Sequence, residues 1–258
     1  MSGPDEELVR ERHGNVVVLR LNRPDARNAL TAGIIGGLAA GITDAESDPD
    51  VRAVVLTGTG DKAFCAGMDL KALAGVGPTA TPEEMAVLMR LMDGHAAVPV
   101  VGAANASAFG GGLELLLGCD VIIASAEAMF GLPEVKRGLF AGGSGTAIGQ
   151  RVPLGVALEL TLTGDPVTAA RAYEVGLVNA VVAPDEVVPA ALAMAERIAA
   201  NAPLSLTASK ELVRLYATDP AKADERRGHW RTVVFGSDDA KEGATAFVEK
   251  RAPVWQGR

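Results

Sequence analysis

The feature that most constrains this chain is a rhythm in its first half. Short aliphatic runs, each closed by a turn, alternate with segments of helical spacing. Residues 8–10 and 16–21 flank the turn His13-Gly14-Asn15 and predict a hairpin. Further runs at 51–56, 99–102 and 121–124 predict buried strands, the first ending at Gly58-Thr59-Gly60. Thr31 is placed to cap a helix whose Ile34, Ile35, Leu38, Ala39, Ile42 and Ala45 share one face. Thr81, followed by Pro82, Glu83 and Glu84, opens a second helix predicted to run to about His95. Gly110, Gly111 and Gly112 lead into a short helix reaching Leu116. After about residue 145 the rhythm changes to helices, predicted at 144–151, 153–162, 168–175, 185–200, 204–216, 220–235 and 238–250. The helix over 185–200 gathers Val187, Val188, Ala191, Leu192, Ala195 and Ile198 on one face. The expectation is an α/β core with a helical C-terminal part. The glycine-bearing stretch 72–81 predicts a mobile surface loop.

Composition narrows the function. The chain has 258 residues, enough for a sizeable core, and its 48% apolar content argues against disorder. A net charge of −8 offers no basic face for nucleic acid. The charges of 224–227 read as a solvated helix face. No apolar run approaches the ~18 residues of a membrane span. The charged N-terminal segment lacks the apolar stretch of a signal peptide. Two cysteines, Cys65 and Cys119, make no disulfide framework, and His13, His95 and His229 are too scattered for a metal cluster. These features predict a soluble protein of a reducing compartment, the cytoplasm, with no metal.

Several catalytic templates fail on spacing. Gly58-Thr59-Gly60 has Ala63 where a dinucleotide fingerprint needs glycine. Gly138 and Gly143 have P-loop spacing, but Ser144 stands at the lysine position. Gly142 to Thr146 misses the serine-hydrolase elbow because its last residue is not glycine.

Two glycine-bearing segments remain, 62–71 after a strand and 110–114 opening a helix. Backbone N–H groups there can approach a ligand unobstructed, and a helix N-terminus adds the positive end of its dipole. Converging, two such groups make an oxyanion hole; taken singly, each is an ordinary strand–helix turn. Glu114 follows the glycines, and Glu134 follows a short apolar strand. A lone glutamate is usually solvated. A pair in apolar surroundings, here Leu113, 115–117, Met129, Phe130 and Leu132, can divide acid and base roles.

At these residues the chain resembles the enoyl-CoA hydratase/isomerase (crotonase) superfamily. Residues 21–30 resemble its N-terminal signature, 63–71 its first oxyanion segment and 105–120 its second, in the same order and spacing. The resemblance spans roughly 8–252. It implies a ClpP/crotonase-like α/β spiral of ββα units over 1–198 carrying the site. The helical region 199–258, part of the same unit, would mediate assembly into a homotrimer or a dimer of trimers. It also implies acyl-CoA thioester substrates, with no cofactor beyond the coenzyme A of the substrate.

By motif position, the two oxyanion N–H groups belong to Met68 and Gly111. Arg27, Ala29, Ala66, Met68, Asp69, Leu70, Lys71 and Gly111 would line the acyl-CoA path. Phe247 and Lys250 would contact coenzyme A across a subunit boundary. Family hydratases carry both acid/base glutamates, matched here by Glu114 and Glu134, whereas isomerases usually lack the first. The resemblance therefore implies hydration of a trans-2-enoyl-CoA to a 3-hydroxyacyl-CoA, as in fatty-acid β-oxidation. The rivals are an isomerase, a carnitinyl-CoA dehydratase-like lyase (suggested by residues 130–134 with Lys136), and a non-catalytic acyl-CoA-binding protein.

Two departures stand out. The family's Asn-Gly turn is Asn105-Ala106 here, which strains Ala106 if the turn needs positive φ. Residues 141–148 differ from the family's Pro-Gly-x-Gly-Gly-Thr-Gln-Arg pattern and alter a loop near the acyl pocket. Cys65, beside the oxyanion segment, is expected to pack rather than react.

Overall fold

The computed structural model describes residues 7–69, 75 and 78–258. Strands β1 (Leu8–His13) and β2 (Val16–Leu21) form the expected antiparallel hairpin, with Gly14 at φ 57° in its turn. Parallel strands β3 (Ala53–Gly58), β4 (Val100–Ala104), β6 (Val121–Ser125) and β9 (Ala180–Val182) extend it into a sheet of order β1-β2-β3-β4-β6-β9. Every residue of β3 is buried, which explains its unbroken apolar run; a strand covered on both faces has no use for polar alternation.

The two faces of this sheet follow the period of two. Val16, Val18, Ala53, Val55, Val101, Ala103 and Ile123 pack against Val187, Ala191, Ala195 and Ala199 of α6 (Val187–Ala199). Leu19, Leu21, Val54, Leu56, Val100 and Ile122 face the other way. They join Ile34, Leu38 and Ile42 of α1 (Ala32–Ser47) and Leu88 and Leu91 of α2 (Pro82–Met92). Both helices begin as expected: Thr31 accepts the Ile34 N–H, and Thr81 with Glu84 forms a capping box.

A second, shorter ladder lies behind the first. It contains the parallel bridges Leu30–Met68 and Cys65–Ala108, then the sheet β5 (Ala108–Phe109), β7 (Met129–Gly131) and β8 (Val167–Thr168). The chain thus repeatedly passes through the main sheet, touches the short ladder and returns by a helix, which is the ββα spiral. Helix α3 (Gly111–Gly118) follows β5 and is buried at every residue. Beyond it come α4 (Leu154–Thr163), α5 (Ala169–Glu174) and, after α6, α7 (Pro203–Thr218), α8 (Pro220–Gly236) and α9 (Asp238–Glu249). Lys210 and Arg214 of α7 both pair with Asp120, 2.8 and 2.9 Å away, tying this region to the core. No described helix is long and apolar enough to cross a membrane.

Some expectations need correction. Strands β8 and β9 lie in the stretch read as mostly helical; at two and three residues they are too short for periodicity to reveal. Residues 144–150 form a 3-10 helix rather than an α-helix. Helix α2 stops at Met92, because Gly94 turns the chain at φ 73°. The strand expected at 51–56 is displaced to Ala53–Gly58, in register with β2 up to Leu21. Ala106 is not among the positive-φ residues, so it carries no left-handed strain. The Asn105 side chain organises that turn instead, accepting the Gly58 N–H at 3.0 Å and donating to the Gly60 carbonyl at 2.7 Å. Residues 72–74, 76 and 77 of the loop expected at 72–81 lie outside the described residues.

Candidate active site

The short ladder brings the sequence motifs together. Residues 27–30 and 66–69 are zipped along their backbones: Ala66 N–H to the Arg27 carbonyl, Leu30 N–H to Gly67, and Asp69 N–H to Leu30. A parallel bridge of this kind leaves the N–H of its middle residue, Met68, facing away from Leu30. It faces α3. A Cβ at Gly111 would lie only 3.6 Å from the Met68 nitrogen, and one at Gly67 only 3.2 Å from the Gly111 nitrogen. Gly67 holds φ 95° and Gly110 holds φ 54°, ψ −128°, conformations that exclude side chains, so these glycines permit the approach. Gly111 is the first residue of α3, where the N–H has no partner within the helix. Two amide donors from neighbouring turns of the spiral thus converge.

Asn28 braces this arrangement, and the residue-level reading did not single it out. It is fully buried at φ 52°. Its Oδ1 accepts the Arg23 N–H at 2.9 Å; its Nδ2 donates to the carbonyls of Thr59 and Ala63 at 3.0 and 2.8 Å. Arg23 in turn donates to the Ala29 carbonyl and pairs with Asp69 at 3.2 Å. Only a buried, fully bonded amide in a left-handed turn betrays this role, and neither burial nor φ is visible in a sequence.

Glu114 sits one turn into α3 and is 6% exposed. Its Oε1 accepts N–H groups from Gly143 and Gly145, both at 2.9 Å, and the Ser144 hydroxyl donates to its backbone carbonyl at 3.2 Å. The atypical stretch 141–148 is therefore the cradle of this carboxylate. Burial pushes the Glu114 carboxyl above its ordinary pKa; the two amides oppose that, and the charges of Glu134 and Asp93 add to it. Glu134 occupies the 3-10 turn Pro133–Arg137. Its Oε1 would lie 2.7 Å from a Cβ at Gly110, and its Oε2 is buried without a hydrogen-bond partner among the described residues. A buried lone acceptor beside a second carboxylate is where a water or a substrate proton would be received.

The structure thus brings Arg27, Ala29, Ala66, Met68, Asp69, Gly111, Glu114 and Glu134 into one neighbourhood. Leu70 and Lys71 lie outside the described residues. Phe247 is 86% exposed near the end of α9, and Lys250 caps that helix at φ 56°. No hydrogen bond or ion pair among the described residues joins either to the site. Cys65 is buried, and burial pushes its thiol up to about 12, which suits packing and not nucleophilic attack.

Comparison with known proteins agrees with this geometry. The model of the enoyl-CoA hydratase/isomerase family matches residues 11–258. An enoyl-CoA hydratase of Mycobacterium tuberculosis is 37% identical, covering 100% of this chain and 98% of that protein. The crystal structure of an enoyl-CoA hydratase from the same organism superposes with a TM-score of 0.92 at 38% identity, covering 98% of this chain and 100% of that one. A carnitinyl-CoA hydratase structure from Mycobacterium avium has 45% identity and a TM-score of 0.77, covering 98% and 99%. With matching motifs, spiral and full-length relatives, the chain belongs to the enoyl-CoA hydratase/isomerase family.

Proposed function

We propose that this protein is an enoyl-CoA hydratase, a hydro-lyase that reversibly adds water across the double bond of a trans-2-enoyl-CoA. The observation that carries the proposal is the pair Glu114 and Glu134 beside the converging amides of Met68 and Gly111. The thioester oxygen would sit between those amides, which oppose the negative charge that gathers there as the enolate forms. Water held by the two carboxylates gives up one proton to the pair while its oxygen bonds to C3. The C2–C3 π electrons move toward the thioester, and the pair returns a proton to C2. Water is consumed whole, and both carboxylates end as they began. The proton is assigned to the two carboxylates together and not to one of them.

On the same proposal Arg27, Ala29, Ala66 and Asp69 line the coenzyme A path, and no cofactor is needed beyond the coenzyme A of the substrate. Residues 199–258 act as an assembly region, giving a homotrimer or dimer of trimers. The exposure of Phe235 (79%), Phe247 (86%) and Val248 (79%) supports burial against another copy, which would carry Phe247 and Lys250 to a neighbour's coenzyme A. The protein works in the cytoplasm.

The test is loss of the conjugated enoyl-thioester absorbance with crotonyl-CoA, in wild type, Glu114→Gln and Glu134→Gln. Rapid loss in wild type and a fall of ~10²–10⁴ in each variant is the expected result. A wild type that binds CoA esters but is inert with short, medium and long enoyl chains would overturn it. A second reading, dehydration of a specialised 3-hydroxyacyl-CoA, is favoured by the departures at 141–148 and the 45% identity to the carnitinyl-CoA hydratase. It would show as turnover of carnitinyl-CoA with crotonyl-CoA left untouched.

A further inference from the structure

Helix α3 carries both Gly111 and Glu114, yet it has only eight residues. A helix so short has little stability of its own, and its orientation is set by what holds its ends. The C-terminal end is held completely. The Leu116 carbonyl accepts the Cys119 N–H at 3.0 Å and the Leu115 carbonyl the Cys119 thiol at 3.4 Å. The Gly118 carbonyl accepts from Arg214 at 3.1 Å. Arg151 donates to the Leu117 carbonyl at 3.4 Å and to the Cys119 carbonyl in a shorter bond.

Arg151 is the residue that follows the 3-10 helix Ser144–Gln150. The N-terminal end of that 3-10 helix presents the Gly143 and Gly145 amides and the Ser144 hydroxyl to Glu114. The 3-10 helix therefore lies along α3 fastened at both ends, at Glu114 and one turn further on at Leu117 and Cys119. Burial lowers the affinity of the Arg151 guanidinium for its proton, the nearby Arg214 charge adds to that, and Asp120 opposes it. Among the described residues Arg151 makes no ion pair of its own. An apolar side chain of similar length would fill the space at lower desolvation cost; what the guanidinium adds is directional bonding.

We propose that Arg151 is a positioning residue for the acid/base pair: by gripping the last carbonyls of α3 it holds residues 143–145 in register with the Glu114 carboxylate. The inference rests on the hydratase reading for its catalytic consequence, but not for its structural one. Removing the grip frees the far end of the 3-10 helix, and the Gly143 and Gly145 amides lose their alignment on Oε1. Glu114 then retains its burial and the charges that face it, Glu134 from the 133–137 turn and Asp93 after α2, without the two amides that oppose them. Its proton is held to still higher pH.

The experiment compares wild type, Arg151→Met and Arg151→Lys. Glu114 is titrated by carboxylate-carbon NMR (assigned with Glu114→Gln), exchange of the Gly143 and Gly145 amides is followed, and kcat and KM are measured with crotonyl-CoA. Arg151→Met is expected to raise the Glu114 midpoint, speed exchange at both glycines and lower kcat about tenfold to a hundredfold with KM within about twofold. Arg151→Lys, which can still reach one carbonyl, should recover part of each change. Folded Arg151→Met with an unchanged Glu114 titration and wild-type glycine exchange overturns the proposal, whatever its melting temperature. Should the methionine variant fail to fold, the lysine variant decides on the same two readouts. A wild type inert toward enoyl-CoA defeats the hydratase reading alone, because the titration and exchange need no turnover.

Discussion

Glu134 faces Glu114 across the site, and its negative charge adds to the burial that raises the proton affinity of Glu114. Burial is the larger contribution, and Glu134 adds to it against the opposing Gly143 and Gly145 amides. The acid limb of the kcat/KM profile is therefore expected to lie above the pH at which an exposed glutamate ionises. Glu134→Gln removes the repulsion, so the Glu114 midpoint in that variant should fall. Carboxylate-carbon NMR across the acid range reads this directly, and a midpoint that stays or rises would contradict the coupling.

Glu114 also has a consequence for stability. Its folded-state proton affinity is raised, so the native state binds more protons than the unfolded chain. Its contribution is most favourable below the unfolded pKa and declines as pH rises through the folded one. Glu114→Gln keeps an acceptor for the two amides but buries no charge. The variant is expected to melt at or above the wild-type temperature at neutral pH while losing activity. That advantage should shrink as the pH is lowered toward the unfolded pKa. Thermal melts at neutral and acidic pH test the sign.

Glycine substitutions should separate the machinery from the surface. A Cβ at Gly112 would overlap the Cys65 carbonyl and its attached carbon, which are backbone and cannot rotate away. Gly112→Ala is expected to cost more than about 2 kcal/mol and to abolish activity by prising α3 from the 63–68 segment. Gly155, in the first turn of α4, has nothing within 4 Å of an added Cβ. Gly155→Ala should stabilise by about 0.5–1 kcal/mol with unchanged kcat. Denaturant unfolding and crotonyl-CoA turnover on both variants check the contrast.

The Asp120 junction predicts an asymmetry. Side chains of Lys210 and Asp120 are 10% and 20% exposed, and Asp120 also pairs with Arg214 and accepts the Val100 N–H. Asp120→Ala leaves two cations facing each other and should cost about 3–5 kcal/mol. Lys210→Met leaves Asp120 still paired with Arg214 and replaces a buried ammonium with an apolar chain, so its cost should be clearly smaller. Equal losses in chemical denaturation would show that the cations do not depend on their shared carboxylate.

Much of this was legible in the residues. The hairpin, the caps at Thr31 and Thr81 and the buried face of α6 follow from local chemistry, and each was found where its signal stood. The candidate catalytic motifs were legible through resemblance, because Met68 and Gly111 would act through backbone and their side chains announce nothing. What stayed hidden depends on contacts between distant residues. Strands β8 and β9 exist only by pairing with β7 and β6. The stretch 141–148 looked like a departure near the acyl pocket, and folding makes it the cradle of Glu114. Asn28 and Arg151 are polar residues whose bonds to distant main-chain carbonyls appear only in the folded chain.

The convergence of the Met68 and Gly111 amides divides the site's heritable information in two. On the proposed mechanism the parts that would activate a thioester are main chain, and every amino acid except proline supplies the same N–H. No exchange of side chains at Met68 can delete its donor, short of proline; only crowding at the neighbouring glycines can displace it. The parts that would choose what happens to the activated thioester are two carboxylates on exchangeable side chains. On that mechanism a lineage built on this spiral could change its reaction one codon at a time while keeping its grip on the substrate's carbonyl.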